Sequence, residues 1–448
     1  MGQNIFDRFG GWTGKTFTPT GFFRLEKDER WWLVTPEGNS FISFGVNHLS
    51  PDFFRQSFNS ESWKSKLEIN DLYGLEFKPA LQKWFLRTCE NLGFNTVGVH
   101  NDLSVINHEG ARLPYIQNIE FVVIPHYSNE VKESDFIDVF SSGFASHCDS
   151  LASEISTQVK NDPFLIGYAM TDCPLLTEED CRERPDTIGG APRESRIGWP
   201  RRLRNLPENC AGKIAYVNTV REIYRDRIGD FNTTYTTSFD SFDSLKAAEN
   251  WRPNTDLSNS NEMRDNTEFL KQVVGKYYET ALGAIRKYDS NHMFIGDKLN
   301  ANTDSLDTVL PVTSQYTDII FIQMYGRYDI QGRGLDRWRD MSDKPFINGD
   351  SAFTMITENM PRPYGPVATD VIERSEWIEE LFMNLIARPE VIGWHYCGLI
   401  DTPNLIAGKE LRQHSGVYDT YGNPYTELTS SIKNLTRNLY RTSLDTRV

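Results

Sequence analysis

The run "FLIGYAMTD" (residues 164–172) is apolar on both faces and then ends in Asp172. A carboxylate closing a buried strand is costly unless it is paired, solvated in a cleft, or used. Other apolar runs in the chain end in the same manner. Their last residues are Asn47 and His48, His100 and Asn101, His126 and Tyr127, Asp297 and Lys298, Gln323 and Tyr325, Asp350, and then Trp394, His395 and Asp401. Ordinary loop starts are rich in Ser, Gly, Lys and Glu. These ends instead hold His, Asn, Asp, Tyr and Trp, which hydrogen-bond to sugars and stack on them. Each residue keeps a plainer reading: His48 or His100 could satisfy a backbone carbonyl, Asp297 and Lys298 could pair, and Trp394 could be a core aromatic. Three histidines at neighbouring ends could in principle hold a metal, but no HxH or HExxH spacing supports one, so neither a metal nor a cofactor is expected.

The elements that must position these residues alternate apolar strands with amphipathic helices, the pattern of a parallel sheet. Eight strands are read: "SFISFGVNHL", "FNTVGVHND", "IEFVVIPHY", "FLIGYAMTD", "HMFIGDKLN", "DIIFIQMYG", "KPFINGDSAF" and "VIGWHYCGLID". Helical stretches such as "ALQKWFLRTCENLG", "FASHCDSLASEISTQVK" and "NTEFLKQVVGKYYETALGAIRKYD" fall between them. In the last, Leu270, Val273, Val274, Tyr277 and Tyr278 follow the three-to-four spacing of one buried face. Eight such units predict a (β/α)8 TIM barrel, whose strand ends converge on one site. No Gly-rich phosphate turn follows the first strand, which argues against a doubly wound sheet. The expected organisation is an N-terminal β-hairpin in residues 1–40 with a Pro-Glu-Gly-Asn turn, a barrel over 41–430, and a tail over 431–448. A long insert after strand 4, at about 173–265, lies on the face where barrel enzymes build their sites and reads as a cleft wall.

The net charge of −15 argues against nucleic acid or an anionic membrane as a bulk partner. No apolar run approaches the roughly 20 residues of a membrane span. The start "MGQNIFDRFG" shows no signal peptide, so the expected location is cytoplasmic, or periplasmic or secreted with a leader removed. A homo-oligomer is compatible with everything above. Six cysteines are scattered without CxxC pairs and read as mostly reduced and packed. One short stretch concentrates Arg182, Arg184, Arg193, Arg196, Arg201, Arg202 and Arg204. It reads either as a solvated, salt-bridged loop or as a local pocket for an anionic group.

Four stretches resemble clan A glycoside hydrolases, specifically the agarase-like group related to family 50 β-agarases. "RWWLVTPEGNSFISFGVNHLSP" is similar to their opening hairpin and first strand, and "DPFLIGYAMTD" to their fourth strand. "YETALGAIRKYDSNHMFIGDKLN" is similar to their helix leading into strand five, and "VIGWHYCGLIDTP" with "HSGVYDTYGNPY" to their eighth strand and closing loop. "YVNTVREIYRDRIGDFNTTYTTSFDSFDSL" resembles an insert of agarase-like and β-galactosidase-like barrels. The resemblance implies a hydrolase with an acid/base after strand four and a nucleophile after strand seven. This chain departs at both places. Asp172 stands where the family has Asn, Cys173 where it has the catalytic Glu, and Asp350 where it has the second Glu.

Cleavage of a glycosidic bond needs two carboxyls across it, one protonated and one ionised. The register leaves Asp172 and Asp350 as that pair, with Asp297 or Glu120 as possible stand-ins for one partner. Asn47, His48, His100, Asn101, His126, Lys298, Gln323, Tyr325, Trp394, His395 and Arg184 are the expected substrate-binding residues. The resemblance points to a galactan oligosaccharide or polysaccharide (agar, porphyran or carrageenan), with sulfated forms among the candidates, cut from a chain end because the insert narrows the cleft. The competing reading is a non-catalytic glycan-binding barrel that has lost the strand-4 glutamate. The short Asp350 and the early Asp172 also predict a widened gap, into the roughly 6.5–9.5 Å range of inverting enzymes.

Overall fold

The computed structural model describes residues 5–107, 112–123, 137–178, 198–303, 305–358, 360–361, 365–402 and 416–444. Eight parallel strands close a barrel in chain order: β5 (Ser43–Val46), β6 (Thr96–Val97), β7 (Tyr115–Asn118), β8 (Leu165–Asp172), β9 (Met293–Asn300), β10 (Ile320–Gln323), β11 (Phe346–Ser351) and β14 (Val391–Tyr396). Helices including Phe77–Leu92, Ser142–Val159, Ser260–Arg286 and Val371–Ala387 pack outside them. This is the (β/α)8 barrel that the alternation predicts.

The N-terminal segment is more than a hairpin. Strands β1 (Trp12–Thr16), β4 (Asn39–Phe41), β3 (Trp31–Val34) and β2 (Arg24–Lys27) form a four-stranded antiparallel sheet in that order. The expected turn after Val34 is present: the Gly38 amide donates to Thr35, and Gly38 takes φ 89, which a residue without a Cβ reaches freely. Phe9, Phe23, Leu33 and Phe41 of this region share one apolar cluster with the inward residues Ile116, Ile166, Ile295, Phe321 and Ile347. The sheet therefore seals the end of the barrel opposite the strand C-termini.

One strand is not where the apolar pattern puts it. The third strand is Tyr115–Asn118, ahead of the run "IEFVVI". Ile119, Phe121 and Val122 are buried all the same, as irregular chain. Periodicity reports burial, and a short apolar run buried in a loop looks like a strand. The described part of the insert folds as helices Trp199–Arg204, Ala211–Ile223 and Ile228–Tyr235, packed on Ser260–Arg286, and Phe242–Ala247, packed on Ala211–Ile223. At the C-terminus the helix Thr426–Arg437 packs against Val371–Ala387, so the expected boundary at residue 430 falls inside a helix.

Candidate active site

The barrel brings Asp172 and Asp350 together through a third residue, Lys298. Asp172 and Lys298 are register neighbours on β8 and β9, while Asp350 comes from β11 across the mouth. The Lys298 ammonium donates to Asp350 Oδ2 at 2.8 Å and stands 3.1 Å from Asp172 Oδ1. The two oxygens it joins can be no farther apart than those contacts laid end to end, about 6 Å. The widened gap expected from the shorter side chains is thus absent where the carboxylates face each other, because one cation draws both inward.

Gly296 explains how Lys298 comes to point inward. Along β9, Met293 and Ile295 belong to the barrel interior and Phe294 to the outer layer, so strict alternation would send Asp297 inward and Lys298 outward. Gly296 takes φ 80 at an irregular step of the ladder with β8, and the parity switches. Asp297 then faces the helix Ser260–Arg286, accepting from the Tyr277 hydroxyl at 2.9 Å and the Thr171 amide at 2.9 Å. It is a structural acid. Glu120 is exposed outside the cluster, so neither alternative partner joins the pair.

His48 and His100 complete the ring around the carboxylates. His48 Nε2 lies 3.2 Å from Asp350 Oδ2, and His100 Nε2 lies 3.3 Å from Asp172 Oδ2 and 3.2 Å from the Lys298 ammonium. Their rings stack at 4.6 Å with 16° between planes. Both residues, and Cys173, hold left-handed backbone at φ 58, 62 and 49, a conformation that side chains other than Gly adopt at a cost. Asn101 makes the His48 and His100 turns possible: its amide donates to Val46 O and Gly98 O, and its carbonyl accepts from the Leu49 amide. Asn47 donates to Gly349 O at 2.6 Å and to Asp350 Oδ1 at 3.2 Å.

Burial works to raise the Asp350 carboxyl, yet the Lys298 ammonium and His48 hold it well below the usual carboxylate range. Burial likewise opposes the Lys298 charge, and Asp172 and Asp350 hold that ammonium above the ordinary lysine value. His48 is pushed down to about 4 by burial, against the pull of Asp350, and is neutral at pH 7. The cluster therefore pairs an ionised Asp350 with an ionised Lys298.

Other expected binding residues fall elsewhere. Trp394 is fully buried, with its ring against Phe44 and Phe382, so it is a core aromatic and not a sugar platform. The strand alternates there: Trp394 and Tyr396 face the helix Val371–Ala387, and His395 between them faces the axis. His395 lies beneath the surface of the site, fully buried, with Nε2 2.8 Å from Ser43 Oγ. A Cβ on Gly45 would come within 2.6 Å of its ring, so glycine there gives the imidazole its room. Gln323 pairs in register with Asp350 and is buried, as is Tyr325, whose backbone is fixed by Asn302. His126 and Arg184 lie outside the described residues, as do Arg182, Arg193 and Arg196. Arg204 is not available to a ligand: it is fully buried against Glu262 at 2.8 Å.

Cys397, just past the end of β14, is a site residue that the strand-end reading passed over. Its Sγ, the Asp350 carboxylate and the His48 ring offer ligand atoms within 4.8 Å of one another. Such a set could hold a soft divalent metal. Here the Lys298 ammonium contacts the same Asp350 oxygen and already supplies the positive charge. The five described cysteines are free thiols, four of them buried.

No protein-family model matches the chain. Two β-agarases of Vibrio sp. (strain JT0107) are related in sequence: β-agarase B is 20% identical over 96% of this chain and 50% of its own length, and β-agarase A is 21% identical over 95% and 46%. The chain thus spans about half the length of these curated relatives. Among solved structures, an exo-β-agarase superposes with a TM-score of 0.80 at 17% identity, covering 99% of this chain and 68% of that one. Another agarase superposes with a TM-score of 0.75 at 17% identity, covering 98% and 68%. The agarase-like resemblance therefore extends along nearly the whole chain, and at these identities the structural likeness is one of fold.

Proposed function

We propose that the protein is a glycoside hydrolase acting on agar-type galactan, with Asp172 and Asp350 as its two carboxyls. The observation that carries this reading is their convergence on Lys298 at the mouth of a barrel that shares the agarase fold. Asp350 collects Lys298, His48 and Asn47 around its oxygens and suits the ionised role beside the anomeric carbon. Asp172 is then the acid that protonates the leaving oxygen. A substrate entering the mouth would take over contacts of Lys298, freeing Asp172 for that proton. The short span between the facing oxygens favours a retaining course, since retaining enzymes hold their carboxyls roughly 5–5.5 Å apart. His48 and His100, half-buried at the mouth, would hold sugar hydroxyls at the cleavage point, and Asn47 beneath them would fix Asp350. A long insert on this side of the barrel would narrow the cleft and supports cutting from a chain end, on neutral or sulfated galactan fragments.

A second reading rests on one specific observation. Cys173 stands at the position of the family's acid/base, and the one Lys298 ammonium ties up both carboxylates that remain. A barrel in that state would bind glycan without cutting it. Incubation with agar, porphyran and carrageenan oligosaccharides separates the two. Release of small sugars from one chain end supports the hydrolase, and binding without release from any of them overturns it.

A further inference from the structure

On the outer wall of the barrel, the helices Ser60–Leu67 and Phe77–Leu92 enclose a groove of about 340 Å³. Three cations, Lys66, Lys83 and Arg87, and one carboxylate, Glu68, rim it, Trp84 forms a wall, and Asn91 offers hydrogen-bonding groups. Lys83 and Arg87 stand four residues apart on one helix face, an arrangement of like charges that weakens a helix. Among the described residues, no carboxylate lies within salt-bridge distance of any of the three cations; Lys66 donates instead to Asn423 Oδ1 at 3.1 Å. Several other surface lysines do have a carboxylate partner, as in Lys64–Glu61, Lys271–Glu268, Lys276–Glu279 and Lys287–Asp149. Trp84 is half-buried and meets Trp63 edge-on at 5.1 Å, and none of the three cations is seated on its ring among the described residues.

We propose that this groove is a second glycan site, separate from the barrel mouth, that binds a sulfated sugar of a galactan chain. Lys83 and Arg87 supply charge-assisted contacts to a sulfate ester, the indole offers an apolar surface to the sugar ring, and Asn91 matches its hydroxyls. The galactan backbone rests on the proposed function, whereas the preference for sulfate does not. Such a site would hold the protein on its polymer while chain ends are worked at the mouth.

The test is affinity titration of the full chain with carrageenan oligosaccharides, with their chemically desulfated counterparts, and with inorganic sulfate alone. Wild type should bind the sulfated oligosaccharide most tightly, and K83A/R87A should lose roughly tenfold or more of that affinity. The variant should still turn over neutral agar oligosaccharides at the wild-type rate, which also reports that it is folded. Equal binding of the desulfated sugar, equal binding of sulfate alone, or unchanged affinity in K83A/R87A overturns the proposal. Failure of the galactan reading shows separately, as absent turnover of neutral oligosaccharides by the wild type.

Discussion

Two of the clusters of buried charge among the described residues are built on different terms. Where the insert meets the helix Ser260–Arg286, Arg204 and Glu262 are both fully buried, and each has several partners. Arg204 also donates to the Arg252 carbonyl and the Thr255 hydroxyl, each at 3.1 Å, while Glu262 accepts from Arg252 at 2.6 Å and from the Asp256 amide at 3.1 Å. Next to them, Asp265 accepts from the Tyr224 and Tyr235 hydroxyls at 2.7 and 2.8 Å. At the mouth, two carboxylates share a single ammonium, and the Asn47 carbonyl oxygen beside them is buried without a hydrogen-bond partner. The first cluster sets two guanidinia, Arg204 and Arg252, on the one Glu262 carboxylate, with backbone carbonyls taking further Arg204 donors and only its Nε left over, and it bolts the insert to the barrel. The second leaves charge and hydrogen-bonding capacity for something that enters. A surplus of acid around one cation suits a mouth that a substrate enters, whereas the surplus of cation around Glu262 is closed off by backbone carbonyls.

The comparison can be broken by substitution. The largest effect is expected for Asp172→Asn, which should cut turnover of agar oligosaccharides by about a thousandfold or more while the protein stays folded, as kinetics and circular dichroism would report. Glu262→Gln should do the reverse: strand Arg204 and Arg252, cost about 3–5 kcal/mol in denaturant unfolding, and leave the rate per folded molecule near wild type. Lys298→Met should leave two facing carboxylates without their cation. Its stability loss should be full at neutral pH and shrink as acid protonates them, so its unfolding free energy should rise on acidification relative to wild type.

The smallest effect concerns Asp297, whose carboxyl burial pushes up to about 7 against its hydrogen bonds from Tyr278, Tyr277 and Thr171. A carboxyl with a raised folded value binds its proton more tightly in the native state. Its contribution is therefore full below the unfolded value of about 4 and is lost as pH rises towards 7. Asp401, pushed up to about 6 by burial beside Arg374 and Tyr425, acts with the same sign. Asp297→Asn should flatten the fall in stability between pH 4 and pH 7 without moving the carboxylate pair. An unchanged slope would show that Asp297 does not titrate there.

How far the sequence reaches is visible in these residues. Apolar alternation and helix spacing are enough for the barrel, and the strand ends Asp172, Lys298 and Asp350 do converge. Pattern fails where the backbone changes parity. Nothing in "HMFIGDKLN" says that Gly296 turns Asp297 out to the helix and Lys298 in between the carboxylates. Nor does "VIGWHY" say which of Trp394 and His395 faces the axis. Arg204 shows a third limit, since composition cannot tell a basic loop from a guanidinium that will be fully buried on a glutamate. The sharing of one lysine by two acids is a tertiary event, and it reversed the widened gap expected from side-chain length.

The most direct measurement is the rate at which Asp350→Asn releases sugar from neutral agar oligosaccharides, compared with wild type at the same folded fraction. If the Lys298-bridged pair is the catalytic pair, that rate should fall by about three orders of magnitude or more, with substrate still bound. A variant that keeps most of the wild-type rate would contradict the account.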